Sequence, residues 1–159
     1  MTQLVQKDTF GIGVSEQLKS RLYATFALGG EIFAVDALQV QEIVLSQKMT
    51  PVPHSPAYIL GLINLRGQIV TALDLRYRLT GEAIVISQNN MNVILKTPAG
   101  VCSVLVDDVG DVLEIEDERM ESVPETMSPR MRDFVTKICK MDQGLLCILD
   151  INRIVKQEN

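Results

Sequence analysis

P-A-Y-I-L-G-L-I-N-L-R-G-Q-I-V-T-A-L-D-L-R-Y-R-L, residues 56–79, holds two apolar runs either side of an arginine and a glycine. Leu62-Ile63-Asn64-Leu65 and Ile69-Val70-Thr71-Ala72-Leu73 flank Arg66-Gly67-Gln68. That spacing predicts two strands joined by a tight turn, since a turn glycine between apolar runs supplies the backbone angles a hairpin needs. Ser55 is read as the cap of a short helix, with Pro56 at its first position and Ala57 to Leu60 in the turn. Asp74 is read as the cap of another, Leu75 to Leu79, ending at Thr80-Gly81. Arg66 is thereby fixed at its backbone while its guanidinium reaches solvent.

Outward on the N-terminal side, Met49 to Pro56 contains three prolines and a lone histidine, His54. Proline fixes φ and removes a donor, so an extended connector is expected, and His54 is assigned no chemistry. Val40 to Leu45, V-Q-E-I-V-L, reads as a strand with Val40, Glu42 and Val44 on one face. Its bland reading is an edge strand with a solvated glutamate. Leu22 to Leu28 and Glu31 to Val35, separated by Gly29-Gly30, predict a hairpin. Residues 1–20 have no sustained period and are read as a flexible arm. Residues 21–157 are read as a single domain of two intertwined subdomains.

On the C-terminal side a polar-edged loop runs from Gly81 to Asn90. Strands are expected at Met91 to Lys96, Val101 to Val106 and Val109 to Ile115, then a last hairpin of Phe134 to Lys140 and Leu145 to Leu149. Asp150 caps a terminal helix, Ile151 to Val155. V-T-A-L-D-L (70–75) and L-L-C-I-L-D-I (145–151) are both apolar strands running into an aspartate and a helix. The echo hints at two similar small barrels but is too short to establish a repeat. Some nine or ten short strands with brief helices predict an all-β barrel or sandwich.

The chain has 159 residues, 47% of them apolar, with no tryptophan and a formal charge of −5. That length suits one domain with a core built from Val, Ile and Leu. The acidic balance argues against nucleic acid. No apolar run reaches the roughly 20 residues of a membrane helix, and Met1 to Phe10 lacks signal-peptide architecture. A cytoplasmic protein without membrane insertion is therefore expected. Cys102, Cys139 and Cys147 are widely spread and are read as buried thiols.

No positive sign of catalysis is found. There is no phosphate-cradling glycine motif and no G-x-S-x-G, and one histidine makes a nucleophile–base pair improbable. Clustered zinc ligands are absent. The acidic run Glu114, Glu116, Asp117, Glu118 and Glu121 lacks a calcium-loop pattern and reads as a solvated face. Asp107 and Asp108, as neighbours on a strand, point apart. No catalytic residue, cofactor or metal is assigned.

The central stretch, with F-A-V-D (33–36), V-Q-E-I (40–43), V-D-D-V-G-D-V-L (106–113) and L-L-C-I-L-D-I, resembles the CheW family of chemotaxis coupling proteins from about Leu22 to Val155. The resemblance implies two SH3-like five-stranded β-barrels packed on a shared hydrophobic core. It implies a noncatalytic adaptor that binds the cytoplasmic tip of chemoreceptors and the regulatory domain of a CheA-type histidine kinase. Such a protein is monomeric alone and is recruited to membrane-associated receptor arrays in a bacterium or archaeon. It places receptor binding on Val40, Glu42, Arg66 and Met91. Val40 and Met91 would take the apolar stripe of a helical hairpin. Arg66 would bond carboxylates or helix-end carbonyls, while Glu42 either holds Arg66 or meets a basic partner residue. Gly61 and Gly67 are given structural roles, making room for the chain to turn. Three alternatives stand beside this reading. They are a CheW-like scaffold of a pilus or other pathway, an enzyme using the acidic residues, and an SH3-like module for proline-rich peptides.

Overall fold

The computed structural model describes residues 19–156. Most of the expected N-terminal arm lies outside the described residues. Its last two residues do not belong to an arm: Ser20 opens the first strand, and the Lys19 carbonyl accepts from the Asp117 amide at 2.8 Å.

Alternating apolar residues and glycine-containing turns produce two sheets. The first holds β1 (Ser20–Leu28), β2 (Glu31–Asp36), β8 (Asp108–Glu116), β9 (Met120–Glu121), β10 (Val135–Met141) and β11 (Gly144–Leu149), in the order β8-β1-β2-β11-β10-β9. The second holds β3 (Val40–Leu45), β4 (Ile59–Leu65), β5 (Gln68–Leu73), β6 (Met91–Thr97) and β7 (Gly100–Val106), in the order β3-β6-β7-β5-β4. Short helices α1 (Leu75–Thr80), α2 (Pro129–Arg132) and α3 (Ile151–Val155) lie between strands or after the last one. The molecule is mostly β and is built as two SH3-like barrels; the first adds the two-residue β9 to its five strands.

Each barrel closes by a different device. In the second, Thr50, beyond the end of β3, exchanges two 2.8 Å backbone bonds with Leu62 of β4 at the opposite edge. In the first, β8 turns through Asp117–Arg119 into β9, which pairs with β10 at the far edge. The barrels also exchange strands. β2 leads across to β3 in the second barrel, and β7 leads back to β8 in the first.

The two barrels share one pairing scheme. In each, an antiparallel hairpin (β1–β2, β6–β7) carries an edge strand on one side (β8, β3) and pairs in parallel with a strand on the other (β11, β5). The echo seen in the sequence is thus a structural repeat. Asp74 accepts from the Tyr77 amide and Asp150 from the Asn152 amide, each at 2.9 Å, capping α1 and α3 after β5 and β11.

The largest apolar cluster lies between the barrels. It joins Phe26, Phe33 and Val35 of the first to Val93, Leu95 and Val104 of the second, with Leu75, Leu79, Ile151 and Ile154 from the helices. Smaller clusters fill each barrel: Tyr23, Ala34, Ile115 and Leu146 in one, Ile63, Leu65, Val70 and Ile94 in the other. Arg78 of α1 crosses the junction, buried. Its guanidinium lies 4.2 Å from the Tyr58 ring centre and 5.1 Å from that of Phe134, and it donates to the Ile154 carbonyl at 2.8 Å and the Lys156 carbonyl at 2.7 Å. It thereby caps α3, a helix with no αL glycine at its C-terminus.

Two sequence expectations fail here, and one helix is present that the sequence reading does not include. No helix forms at Ala57 to Leu60. The Ile59 amide closes a turn on the Pro56 carbonyl at 3.0 Å, and Ile59 then opens β4 opposite Leu73. As strand residues, Ile59 packs against the cluster between the barrels and Leu60 against both that cluster and the one inside the second barrel. Helix α2 was not anticipated, although Ser128 caps it and Pro129 is its first residue, which is a readable start signal. Gly61 is not a turn residue. It lies in β4, where a Cβ would sit 2.6 Å from the Thr50 carbonyl oxygen.

Candidate functional site

The β4–β5 ladder ends in a two-residue turn, Arg66-Gly67, between the paired Leu65 and Gln68. Both turn residues have positive φ, 53° and 88°, the arrangement that matches the twist of a hairpin. Arginine in this region costs roughly 1–2 kcal/mol of backbone strain. The Asn64 carboxamide oxygen offsets part of it by accepting from the Gly67 amide at 2.9 Å.

From this turn the Arg66 guanidinium reaches Glu42 on β3 and donates a short hydrogen bond within an ion pair. β3 and β4 are the opposite edges of the five-stranded sheet, so the pair spans the seam where the barrel closes. The Arg66 side chain is 68% exposed and that of Glu42 25% exposed. The pair is therefore a surface feature that salt screens. The hydrogen bond from Arg66 holds the Glu42 carboxyl below its ordinary range, and Glu42 in turn raises Arg66. Of the two roles expected for Glu42, holding Arg66 is the one the geometry displays.

The other two expected residues do not join them. Val40 opposes Leu95 and Glu42 opposes Ile94, so a bulge lies between them and Gln41 is the extra residue. The expectation that Val40 and Glu42 share a face is overturned. Val40 packs against the cluster between the barrels, while Glu42 lies on the face of Ile94, which belongs to the cluster inside the second barrel. Met91 opposes Leu45 at the other end of the β3–β6 ladder. Three residues of strand separate it from Ile94, roughly 10 Å.

The structure adds residues that the alternation alone did not single out. Ile43 and Leu45 oppose Val93 and Met91, and Val112 opposes Ala24. Val93 and Ala24 belong to the shared core, so these side chains continue its apolar layer to the surface. Ile43 is 38% exposed, Val112 59% and Leu22 50%. The 3-10 turn Ala37–Gln39 touches both β1 and β6 and joins these two margins. An apolar margin of the interbarrel layer thus runs near an exposed arginine–glutamate pair.

A family model described as "CheW-like domain" matches residues 22–159. The chain belongs to the CheW family. Among curated CheW proteins it is 32% identical over 132 residues to a probable chemotaxis protein CheW of Rhizobium etli, covering 83% of this chain and 85% of that one. It is 31% identical over 134 residues to the chemotaxis protein CheW of Bacillus subtilis, covering 84% and 86%. Among solved structures, the scaffolding protein TtCheW from Thermoanaerobacter tengcongensis superposes with a TM-score of 0.77 at 27% identity, over 87% of this chain and 89% of that one.

Asp107 accepts from the Gly29 amide at 2.8 Å, and Asp108 from the Val109 amide at 2.8 Å, so both carboxylates are engaged by backbone. All three cysteines are buried, and burial pushes the Cys102 thiol up to about 11, away from a reactive thiolate. Among the described residues no group of three or more His, Cys, Asp or Glu could hold a metal ion. Among them, too, no helix is long and apolar enough to cross a membrane.

Proposed function

We propose that this CheW-family chain is a noncatalytic, cytoplasmic adaptor that couples chemoreceptors to a CheA-type histidine kinase in a receptor array. The observation that carries this is the Arg66–Glu42 pair at the barrel seam, near an apolar margin of the interbarrel layer. Helical hairpin tips present an apolar stripe flanked by polar groups, and an apolar margin beside a fixed guanidinium is complementary to that pattern. In this reading Arg66 and Glu42 form the polar part of the receptor surface and Ile43 and Val112 its apolar margin, while Val40 and Met91, packed on the interbarrel cluster, border that margin rather than join the pair. Glu42 acts by aiming Arg66, and the Arg66 donors left over after Glu42 face solvent and meet acceptors on the partner. The protein changes kinase output by geometry and is monomeric in isolation.

The test is a co-sedimentation assay with receptor-containing membranes and purified kinase, comparing wild type with Arg66→Ala. Wild type should retain both partners, and the variant should lose the receptor while still binding kinase. Retention of receptor by Arg66→Ala at wild-type affinity would remove Arg66 from the receptor surface. Absence of both partners with the wild type would overturn the adaptor reading.

A further inference from the structure

The two barrels can be laid on one another residue by residue through their pairing registers. In the second barrel Val40 opposes Leu95 and Ile43 opposes Val93, with Gln41 and Glu42 between them and a register shift at Glu42. In the first, Val109 opposes Phe26 and Val112 opposes Ala24, with Gly110 and Asp111 between them and a shift at the same place. The shift between Ile59 and Gly61 in β4 is matched by one between Val135 and Lys137 in β10. Both ladders then close in two-residue turns, Arg66-Gly67 after Leu65 and Asp142-Gln143 after Met141. Asp111 therefore stands where the second barrel has Glu42, and Asp142 stands where it has Arg66. One barrel carries opposite charges at these positions; the other carries like charges.

The first barrel's mouth is an open cavity of about 790 Å³, lined among others by Glu31, Ile32, Asp111, Leu113, Asp142 and Leu145. Ile32 and Leu145 are each 40% exposed there, which gives the cavity an apolar wall. No carboxylate of this rim has an ion-pair partner among the described residues. Arg119, also in the lining, donates to the Lys140 carbonyl at 3.0 Å. Three carboxylates, one guanidinium and exposed aliphatic side chains make a surface complementary to a cation beside an aliphatic group.

We propose that the open mouth of the first barrel is a second docking surface, which takes a basic side chain adjacent to a large aliphatic one from a partner protein's loop. The partner supplies between Asp111 and Asp142 the cation that Arg66 supplies to Glu42 within the second barrel. The inference stands whichever protein meets the Glu42–Arg66 surface.

The experiment is a titration of the 15N-labelled full chain with acetyl-Leu-Arg-Gly-amide, followed by amide chemical shifts. Acetyl-Leu-citrulline-Gly-amide is the uncharged control. The arginine peptide should move the amides of Ile32, Asp111, Asp142 and Leu145 and bind about tenfold more tightly than the control, as charge-assisted bonds require. Asp142→Arg, which rebuilds the second barrel's arrangement, should abolish those shifts with the melting temperature kept, and Asp111→Asn should weaken them. Equal binding of the two peptides, no shifts at these residues up to about 10 mM peptide, or undiminished binding by a folded Asp142→Arg would each overturn the proposal. Concentration-dependent shifts of the same amides without peptide would give the mouth to a second copy of the chain and overturn it likewise.

Discussion

Arg66 is held at a strained positive φ by the Asn64 side chain on the following amide and by Glu42 across the seam. The electrostatic part is testable by itself. Arg66 lowers the Glu42 carboxyl from its ordinary value of 4.5, so the pair's contribution is present above that value and is lost as pH falls through the depressed one. Arg66→Ala should move the Glu42 titration midpoint back up toward 4.5, read from its carboxyl 13C shift. An unchanged midpoint would mean that the pair does not form in solution. Arg78 makes the opposite case, because it is buried and bonds carbonyls of α3. Arg78→Ala strips those carbonyls of their donor and should cost about 2–4 kcal/mol in urea unfolding. A loss below half a kcal/mol would show that water replaces the guanidinium freely.

At the scale of elements, the two glycines of the central hairpin separate strain alone, at Gly67, from strain combined with crowding at Gly61, whose φ is 153°. Gly67 has φ 88° and open space where a Cβ would go, so Gly67→Ala should cost only the left-handed penalty, roughly 1–2 kcal/mol. A Cβ at Gly61 would collide with the Thr50 backbone, which belongs to the bridge that closes the barrel. Gly61→Ala should therefore destabilise by more than Gly67→Ala and should speed amide exchange at Thr50 and Leu62. Equal losses with protected amides would show that the bridge yields without cost. The sequence disclosed most of this hairpin, because alternation and turn residues are local signals. It misread Ala57 to Leu60, because Ser-Pro also opens helices and only the pairing of Ile59 with Leu73 decides for strand.

For the whole molecule, exchanged edge strands and a shared core predict one folding unit. Leu95 is fully buried in the cluster between the barrels, so Leu95→Ala should cost about 2–5 kcal/mol. Amides of β4 and of β11 should report the same unfolding free energy before and after that change. Two separable free energies would show that the barrels unfold independently. The formal charge of −5 is unevenly matched between the two barrel mouths, one bearing an ion pair and the other three carboxylates beside one guanidinium.

The sequence by itself determined the all-β class, the strand-turn-strand around Arg66 and the caps at Asp74 and Asp150. It also carried, through the long central motif, the resemblance to the CheW family. These are properties of neighbours along the chain: alternation, turn geometry and capping act within a few residues. Tertiary structure alone decided that Arg66 meets Glu42, that Val40 and Glu42 point apart, and that Met91 stands away from both. Those outcomes depend on how a five-stranded sheet curls until its first and last strands face each other, and on one inserted residue, Gln41, which reverses the face of all that precedes it. Neither closure nor a bulge leaves a periodic trace in the chain, because both are set by contacts between segments far apart in sequence.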